Sequence, residues 1–261
     1  MAIYIKISRK DILSIEKKFN LGKIISYNGI KKGIENTNYL LKTKNQKYIL
    51  TIFGKRVEKK DIPFFINLMS KLNKFKINCP VPQRNKKGNS LFYIKNKPAV
   101  IVSFVEGKDK SKLTIKNCYD IGKNVAKLHN VSKKIKLYRK NSMSLTSWQK
   151  ILNKIGNNCK IINPNLKEIM KENLKDIKNK WPKNLSNGVI HADLFPDNIF
   201  FKKNKLHGYI DFYFASNDYF VYEIAICINA LCFDKKNNNF IFNKVKSRNL
   251  IKGYSKLRRL S

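Results

Sequence analysis

His191, Asp193 and Asn198 stand in the order H-x-D-x-x-x-x-N, and Asp211 follows at the end of the next apolar stretch. These residue types at this spacing suit transfer of a γ-phosphoryl group from a nucleotide to a hydroxyl. Asp193 is the candidate catalytic base, a carboxylate that orients the acceptor hydroxyl and takes its proton. Asn198 offers an amide oxygen and Asp211 a carboxylate, the hard oxygen donors that Mg²⁺ takes. His191 is read as orienting the loop by hydrogen bonds. His207 is read as a half-exposed strand residue, and His129 as a satisfied structural histidine closing a helical pattern.

The segments around the motif read as the scaffold it needs. Residues 188–190 are a short apolar run entering the loop. Residues 198–201 and 206–210 read as two strands joined by the polar turn 202–205. Such a hairpin sets Asn198 at the start of one strand beside Asp211 at the end of the other, so that both oxygens meet one cation.

Upstream, residues 11–19 have helical spacing, and strand-like runs occupy 24–27, 38–43 and 47–53. The connection from Gly29 to Asn38 carries Gly33, Asn36 and Asn38, and its glycine would let backbone approach phosphates. A helix is expected from Asp61-Ile-Pro63 to about Phe75, with proline tolerated in its first turn. Residues 91–94 and 99–105 read as a second hairpin. Helices are expected over 114–129, 164–181, 219–233 and 240–257, with loops at 137–144 and 156–163.

The reading is an α+β, bilobal, protein-kinase-like fold with a small antiparallel-sheet lobe and a mostly helical lobe. The expected division is residues 1–105 for nucleotide binding and 106–261 for the catalytic loop and metal site. ATP would lie between them, its adenine against the connector at Phe104 and Val105.

Composition narrows the classes. The chain has 261 residues, 43% of them apolar, which suits a globular protein rather than a disordered one. No apolar run is long enough to span a bilayer and no signal pattern opens the chain, so no membrane partner and a cytoplasmic location are expected. The five cysteines form no C-x-x-C pair and read as reduced, mostly buried thiols. A formal charge of +38 invites nucleic acid as a partner. Yet only seven of the 55 cations are arginine and the lysines are dispersed over every segment, as an AT-biased coding sequence would produce. No specific nucleic-acid partner is therefore expected, although the excess favours encounter with ATP at low salt.

The sequence resembles the aminoglycoside phosphotransferase and choline kinase superfamily and, within it, the bacterial homoserine kinases built on that fold. The likeness runs through Gly33-Ile-Glu-Asn36-Thr-Asn38, Tyr48-Ile-Leu-Thr-Ile-Phe53 with Lys55-Arg-Val57, and Asp61-Ile-Pro-Phe-Phe65. It continues in Gly188 to Phe201 and in Ile210-Asp-Phe-Tyr-Phe-Ala-Ser-Asn-Asp218 with Tyr222-Glu-Ile-Ala. The resemblance implies ATP- and Mg²⁺-dependent phosphorylation of the side-chain hydroxyl of L-homoserine, a step towards threonine. It carries the base to Asp193 and the metal ligands to Asn198 and Asp211. The zwitterionic acceptor needs a partner for its ammonium, for which Asp218 and Glu223 are candidates alongside Asp193.

Two departures accompany the resemblance. Protein kinases place a lysine on the third strand, whereas Thr51 stands there, so the charge falls to Lys55 or Arg56. Family members are also expected to continue for further helices beyond Arg259-Leu-Ser261. The alternatives are a kinase of choline, ethanolamine or an aminoglycoside on the same fold, and a catalytically inactive, basic RNA-binding relative.

Overall fold

A computed structural model describes residues 5–31, 35–237 and 239–260. The N-terminal part is built on one five-stranded antiparallel sheet. Its strands are β1 (Ile24–Ile30), β2 (Thr37–Thr43), β3 (Lys47–Ile52), β4 (Phe92–Ile94) and β5 (Lys97–Ser103), in the order β1-β2-β3-β5-β4. Along β2, Thr37, Tyr39, Leu41 and Thr43 are buried and their neighbours are not, the period of two that a pleated strand imposes.

Two helices cover the two faces of this sheet. α1 (Arg9–Lys18) starts at a reciprocal cap between Ser8 and Asp11 and packs Ile12 and Ile15 with Leu41, Leu50 and Ile101. α2 (Ile62–Lys74) lays Phe65, Leu68 and Leu72 against Val100 and Val102. That second layer is continuous with the core of the C-terminal part, so both parts share apolar contacts.

β1 runs to Ile30, three residues past the expected end at Tyr27. Pairing of Asn28 with Leu40, Gly29 with Tyr39 and Ile30 with Asn38 satisfies backbone groups that an open loop would leave to water. β5 ends at Ser103, so Phe104 and Val105 lie beyond the strand rather than in it.

The C-terminal part opens with α3 (Ile115–Ser132), capped reciprocally by Thr114 and Asn117. Next comes α4 (Leu145–Ile155), a helix absent from the sequence reading. The expected loop after it is largely a 3₁₀ turn, Gly156–Ile161, and α5 (Leu166–Lys180) follows. Leu152, Cys159 and Leu174 form a small core of their own with Trp148.

The catalytic segment lies in β6 (Asn187–Ile190), β7 (Ile199–Lys202), β8 (Lys205–Tyr209) and β9 (Ser216–Tyr219). β7 pairs with β8 as expected. β9, unforeseen, pairs with β6 through Gly188–Asp218 and Val189–Asn217.

α6 (Phe220–Leu231) leads into a hairpin of β10 (Phe233–Lys236) and β11 (Asn239–Phe242). The helix expected over 240–257 therefore loses its first turns and becomes α7 (Lys244–Ser255), capped by the Asn243 side chain. α3 and α7 cross backbone to backbone. A Cβ added at Gly122 would meet the Leu250 carbonyl at 2.0 Å, and one at Gly253 would meet the Tyr119 carbonyl at 2.0 Å. Only glycine permits this seam at either position.

Candidate active site

The loop after β6 places His191, Asp193 and Asn198 together. The Asn198 Nδ2 donates to the Asp193 backbone oxygen at 2.8 Å and to its Oδ2 at 2.9 Å. Only an amide nitrogen can donate to those two acceptors, so the Asn198 Oδ1 is the atom available for a cation. The Asn198 backbone oxygen accepts from the Ile210 N–H at 3.0 Å, which sets Asp211 beside it at the end of β8.

His191 braces the same junction from beneath. Its Nε2 lies 2.9 Å from the Ile210 carbonyl, and because a carbonyl only accepts, that nitrogen carries the proton. Burial holds the imidazole pKa below its ordinary value, against the pull of Glu223 and Asp193, so the ring is a neutral strut.

Two residues at this junction hold left-handed backbone: Ala192 at φ 65° and Asp211 at φ 62°. Such strain in residues with a Cβ persists only where surroundings over-determine it. Ala192 is held by Glu223, whose Oε1 accepts its N–H at 2.6 Å. Glu223 is fully buried, and its Oε2 lies 2.8 Å from His129 Nε2. The His129 Nδ1 lies 2.9 Å from the Tyr254 hydroxyl, on the helix brought close by the glycine seam. Burial raises the Tyr254 pKa to about 12, so the phenol keeps its proton and can donate to His129.

Electrostatically the site concentrates carboxyl groups. Burial raises the Asp211 pKa to about 6, with the nearby charge of Asp193 adding to it. Burial raises Asp193 as well, opposed by the Asn198 hydrogen bond and by the charge of Arg56. A cation between Asn198 and Asp211 would relieve both. No group of three or more His, Cys, Asp or Glu ligands converges among the described residues. An amide oxygen and one carboxylate fit a Mg²⁺-like ion that arrives with phosphates and keeps waters, rather than one held in an all-protein cage.

The remaining sequence candidates fall in several places. Glu223 does not face the cleft; both of its oxygens are committed to Ala192 and His129, so it is an anchor of the loop rather than an acceptor contact. Asp218 lies on β9, half-buried, taking the Asn141 Nδ2 at 2.7 Å and the Tyr219 N–H at 2.7 Å. The Asn36 Oδ1 accepts from the Gly54 N–H at 3.1 Å, and the Asn38 Oδ1 accepts from the Thr51 hydroxyl at 2.8 Å. Both side chains thus serve the sheet. Gly33 lies outside the described residues. The Phe104 N–H donates to the Lys47 carbonyl at 3.2 Å, and Val105 is buried at 5% exposure.

Several residues of the site carried no signal in the motif. Arg139 sends Nε to Asp61 at 2.6 Å and Nη1 to the Ala215 carbonyl at 3.1 Å, joining the start of α2 to the segment after Asp211. Tyr213 packs edge-on against Phe53 and Phe65 at 4.9 and 5.7 Å. A clue lay in composition: arginine is rare in this lysine-rich chain, and Arg56, Arg139 and Arg258 each set a planar guanidinium over an aromatic ring.

Residues 26–241 match the Phosphotransferase enzyme family. The chain is 40% identical to a homoserine kinase of Rhizobium rhizogenes over 261 residues, covering 100% of this chain and 80% of that protein. It is 39% identical to a homoserine kinase of Mesorhizobium japonicum over 261 residues, covering 100% of this chain and 81% of the relative. Among solved structures, an amicoumacin kinase in complex with AMP-PNP and Ca²⁺ matches with a TM-score of 0.78 at 15% identity, over 98% of this chain and 79% of that one. A spectinomycin phosphotransferase in complex with ADP and spectinomycin matches with a TM-score of 0.72 at 14% identity, over 97% of this chain and 81% of that one. At such identities these two likenesses establish the kinase-like fold and nothing finer.

Proposed function

The chain belongs to the phosphotransferase enzyme family, and we propose that it is a homoserine kinase, transferring the γ-phosphoryl group of ATP to the side-chain hydroxyl of L-homoserine. The observation that carries the reading is identity of about 40% along the whole chain with homoserine kinases, together with an intact Asp193, Asn198 and Asp211 arrangement. In this reading Asp193 orients the acceptor hydroxyl and takes its proton, while Asn198 fixes the carboxylate through its amide nitrogen. The Asn198 Oδ1 and the Asp211 carboxylate hold Mg²⁺, which supplies charge neutralisation on the phosphates when bound with ATP. Alignment and charge compensation carry most of the catalysis, because a primary alcohol is intrinsically a weak nucleophile and the base adds only part of the rate.

The nucleotide lies between the two parts of the chain, divided in this reading at residues 105 and 106, with its adenine at Phe104 and Val105. Asp218 is the candidate partner for the homoserine ammonium. Its oxygens take the Asn141 Nδ2 and the Tyr219 N–H, but unlike the fully buried Glu223 it is half-buried on β9, with lone pairs left for an ammonium. A cytoplasmic location is part of the reading, supported by five cysteines that are all buried and free. No helix of the described residues is long and apolar enough to cross a membrane.

The test is ADP release by the purified protein with Mg²⁺-ATP and a panel of L-homoserine, L-serine, L-threonine, choline and kanamycin. Homoserine should stimulate release most. Stimulation by choline or kanamycin alone would discard the acceptor while keeping the kinase.

A further inference from the structure

At the position where protein kinases carry a strand lysine, the third strand of the sheet has no cation. Thr51 occupies the position, and its hydroxyl is engaged by the Asn38 Oδ1 at 2.8 Å. Phosphoryl transfer still develops negative charge that needs a fixed donor, and neutral hydroxyls serve this poorly.

The chain immediately after β3 supplies a different arrangement. Gly54 lies under the β1–β2 connection so closely that an added Cβ would meet the Glu35 carbonyl at 2.2 Å. The Gly54 N–H is also tied to the Asn36 side chain at 3.1 Å. Arg56, two residues further on, reaches back to Glu35. Its guanidinium is paired with the Glu35 carboxylate and sits 4.6 Å from the centre of the Phe214 ring. Phe214 belongs to the turn that begins at Asp211, the candidate metal ligand. Arg56 therefore spans the gap between the connection that would cover the phosphates and the segment that would hold the cation. Its charge also reaches Asp193.

We propose that Arg56 is a γ-phosphate cation of this enzyme, held by Glu35 and the face of Phe214, a role distinct from that of a strand lysine, which holds the α- and β-phosphates. A planar fork with five N–H donors can keep Glu35 with one edge and offer the other to a phosphate in a fixed plane, a geometry that the three freely rotating donors of an ammonium do not fix. Stacking on Phe214 fixes the plane of the fork before the nucleotide arrives. Lys55, the neighbouring cation, is exposed like Arg56 but makes no ring contact or ion pair among the described residues. The inference rests on the kinase reading above and names a residue of that same site.

The experiment compares wild type, Arg56→Ala, Arg56→Lys and Lys55→Ala. The readouts are kcat for ADP release with homoserine, and binding of AMP-PNP and of ADP by calorimetry. Arg56→Ala should lower kcat by about 100-fold. It should weaken AMP-PNP at least about tenfold while ADP binding changes less than about threefold, because only the γ-phosphate loses its partner. Arg56→Lys should fall between, and Lys55→Ala should match wild type. The inference is overturned if Arg56→Ala keeps kcat within about threefold, or if AMP-PNP and ADP weaken equally. A wild type that binds no AMP-PNP would overturn the kinase reading and this inference together. Turnover by a wild type that is indifferent to Arg56 overturns the inference alone. Thermal melts of the folded variants separate either result from misfolding, which half-exposed Arg56 is not expected to cause.

Discussion

The Glu223 carboxylate accepts the Ala192 N–H at 2.6 Å across 31 residues of sequence, and this contact holds the left-handed turn one residue before Asp193. Behind Glu223 stand His129 and, through it, Tyr254 on α7. The position of the proposed base is thereby set by a buried chain that reaches a helix on the far side of the fold. That helix can come close only because Gly122 and Gly253 meet opposing backbone.

Removal of this anchor should hurt both stability and turnover. Glu223→Ala leaves the Ala192 N–H and the His129 Nε2 without their partner in a site where Glu223 and His129 are fully buried. The expected cost is about 2–4 kcal/mol. The surviving folded enzyme should lose kcat more than homoserine affinity, since Asp193 shifts while Asp218 does not. Glu223→Gln keeps one acceptor for Ala192 and allows His129 to change tautomer, so it should retain most of the stability. Urea unfolding and steady-state kinetics on both variants check this. A Glu223→Ala protein with wild-type midpoint and kcat would contradict it.

A second long-range contact joins the two parts of the chain. Arg139 and Asp61 meet at 2.6 Å with side-chain exposures of 14% and 18%, and Arg139 also serves the Ala215 carbonyl at 3.1 Å. Arg139→Ala strands a largely buried carboxylate and a carbonyl together, and should cost about 2–4 kcal/mol. Arg139→Lys reaches Asp61 but not both partners, so most of that loss should remain. Melting temperatures for the two variants, with Asp61→Asn to complete the cycle, measure it. If lysine restores wild-type stability, the fork geometry is not what matters.

The contrast between these contacts and the motif shows what was legible in the sequence. His191, Asp193 and Asn198 lie within eight positions, and Asp211 follows one hairpin later, so local spacing alone brings them together. Glu223 meets Ala192, Arg139 meets Asp61 and Tyr254 meets His129 across separations of 31, 78 and 125 residues, where no periodicity links partner to partner. Glu223 read as an acceptor contact because it lies just beyond Asp211 in sequence, whereas α6, which carries it, turns its carboxylate to Ala192 and His129. Asn36 and Asn38 read as phosphate contacts, yet the sheet needed their oxygens for Gly54 and Thr51. Phe240-Ile-Phe242 fits a helix or a strand equally well as a short apolar run, and pairing with β10 decided for strand.

Asp211 carries a conflict between stability and function. Its pKa lies at about 6 in the metal-free fold, raised by burial and then by Asp193, against an ordinary value near 4. Between those values the folded state binds more protons than the unfolded chain. Stability from this group is therefore full below about pH 4 and is lost as pH rises through about 6. At pH 7.5 the metal-free protein bears the charge at a cost on the order of 2 kcal/mol. Asp211→Asn should recover much of that stability and flatten the slope between about pH 4 and 6. It should also abolish turnover and the rise in melting temperature expected of the wild type with Mg²⁺-ATP. A variant less stable than wild type at pH 7.5 without metal would show that burial of this charge is not the dominant effect.

The last prediction concerns Asp193, whose Oδ2 is held by the Asn198 amide at 2.9 Å. Asp193→Asn keeps the shape, but it offers neither a base nor a charge, and its own amide group competes with the Asn198 nitrogen for acceptors. General-base contributions are typically about 10²–10⁴-fold, and kcat should fall within that range. The KM for ATP should change little, because this carboxylate is proposed to face the acceptor hydroxyl rather than the nucleotide. Stability should change little or rise, since burial and nearby carboxyl groups already disfavour the ionised form. Lys205→Ala, exposed at the tip of the β7–β8 hairpin, serves as the silent control. Steady-state kinetics on the two variants decide the matter. An Asp193→Asn enzyme with more than about a tenth of wild-type kcat is incompatible with proton transfer to this carboxylate. The base would then have to be sought elsewhere in the cleft.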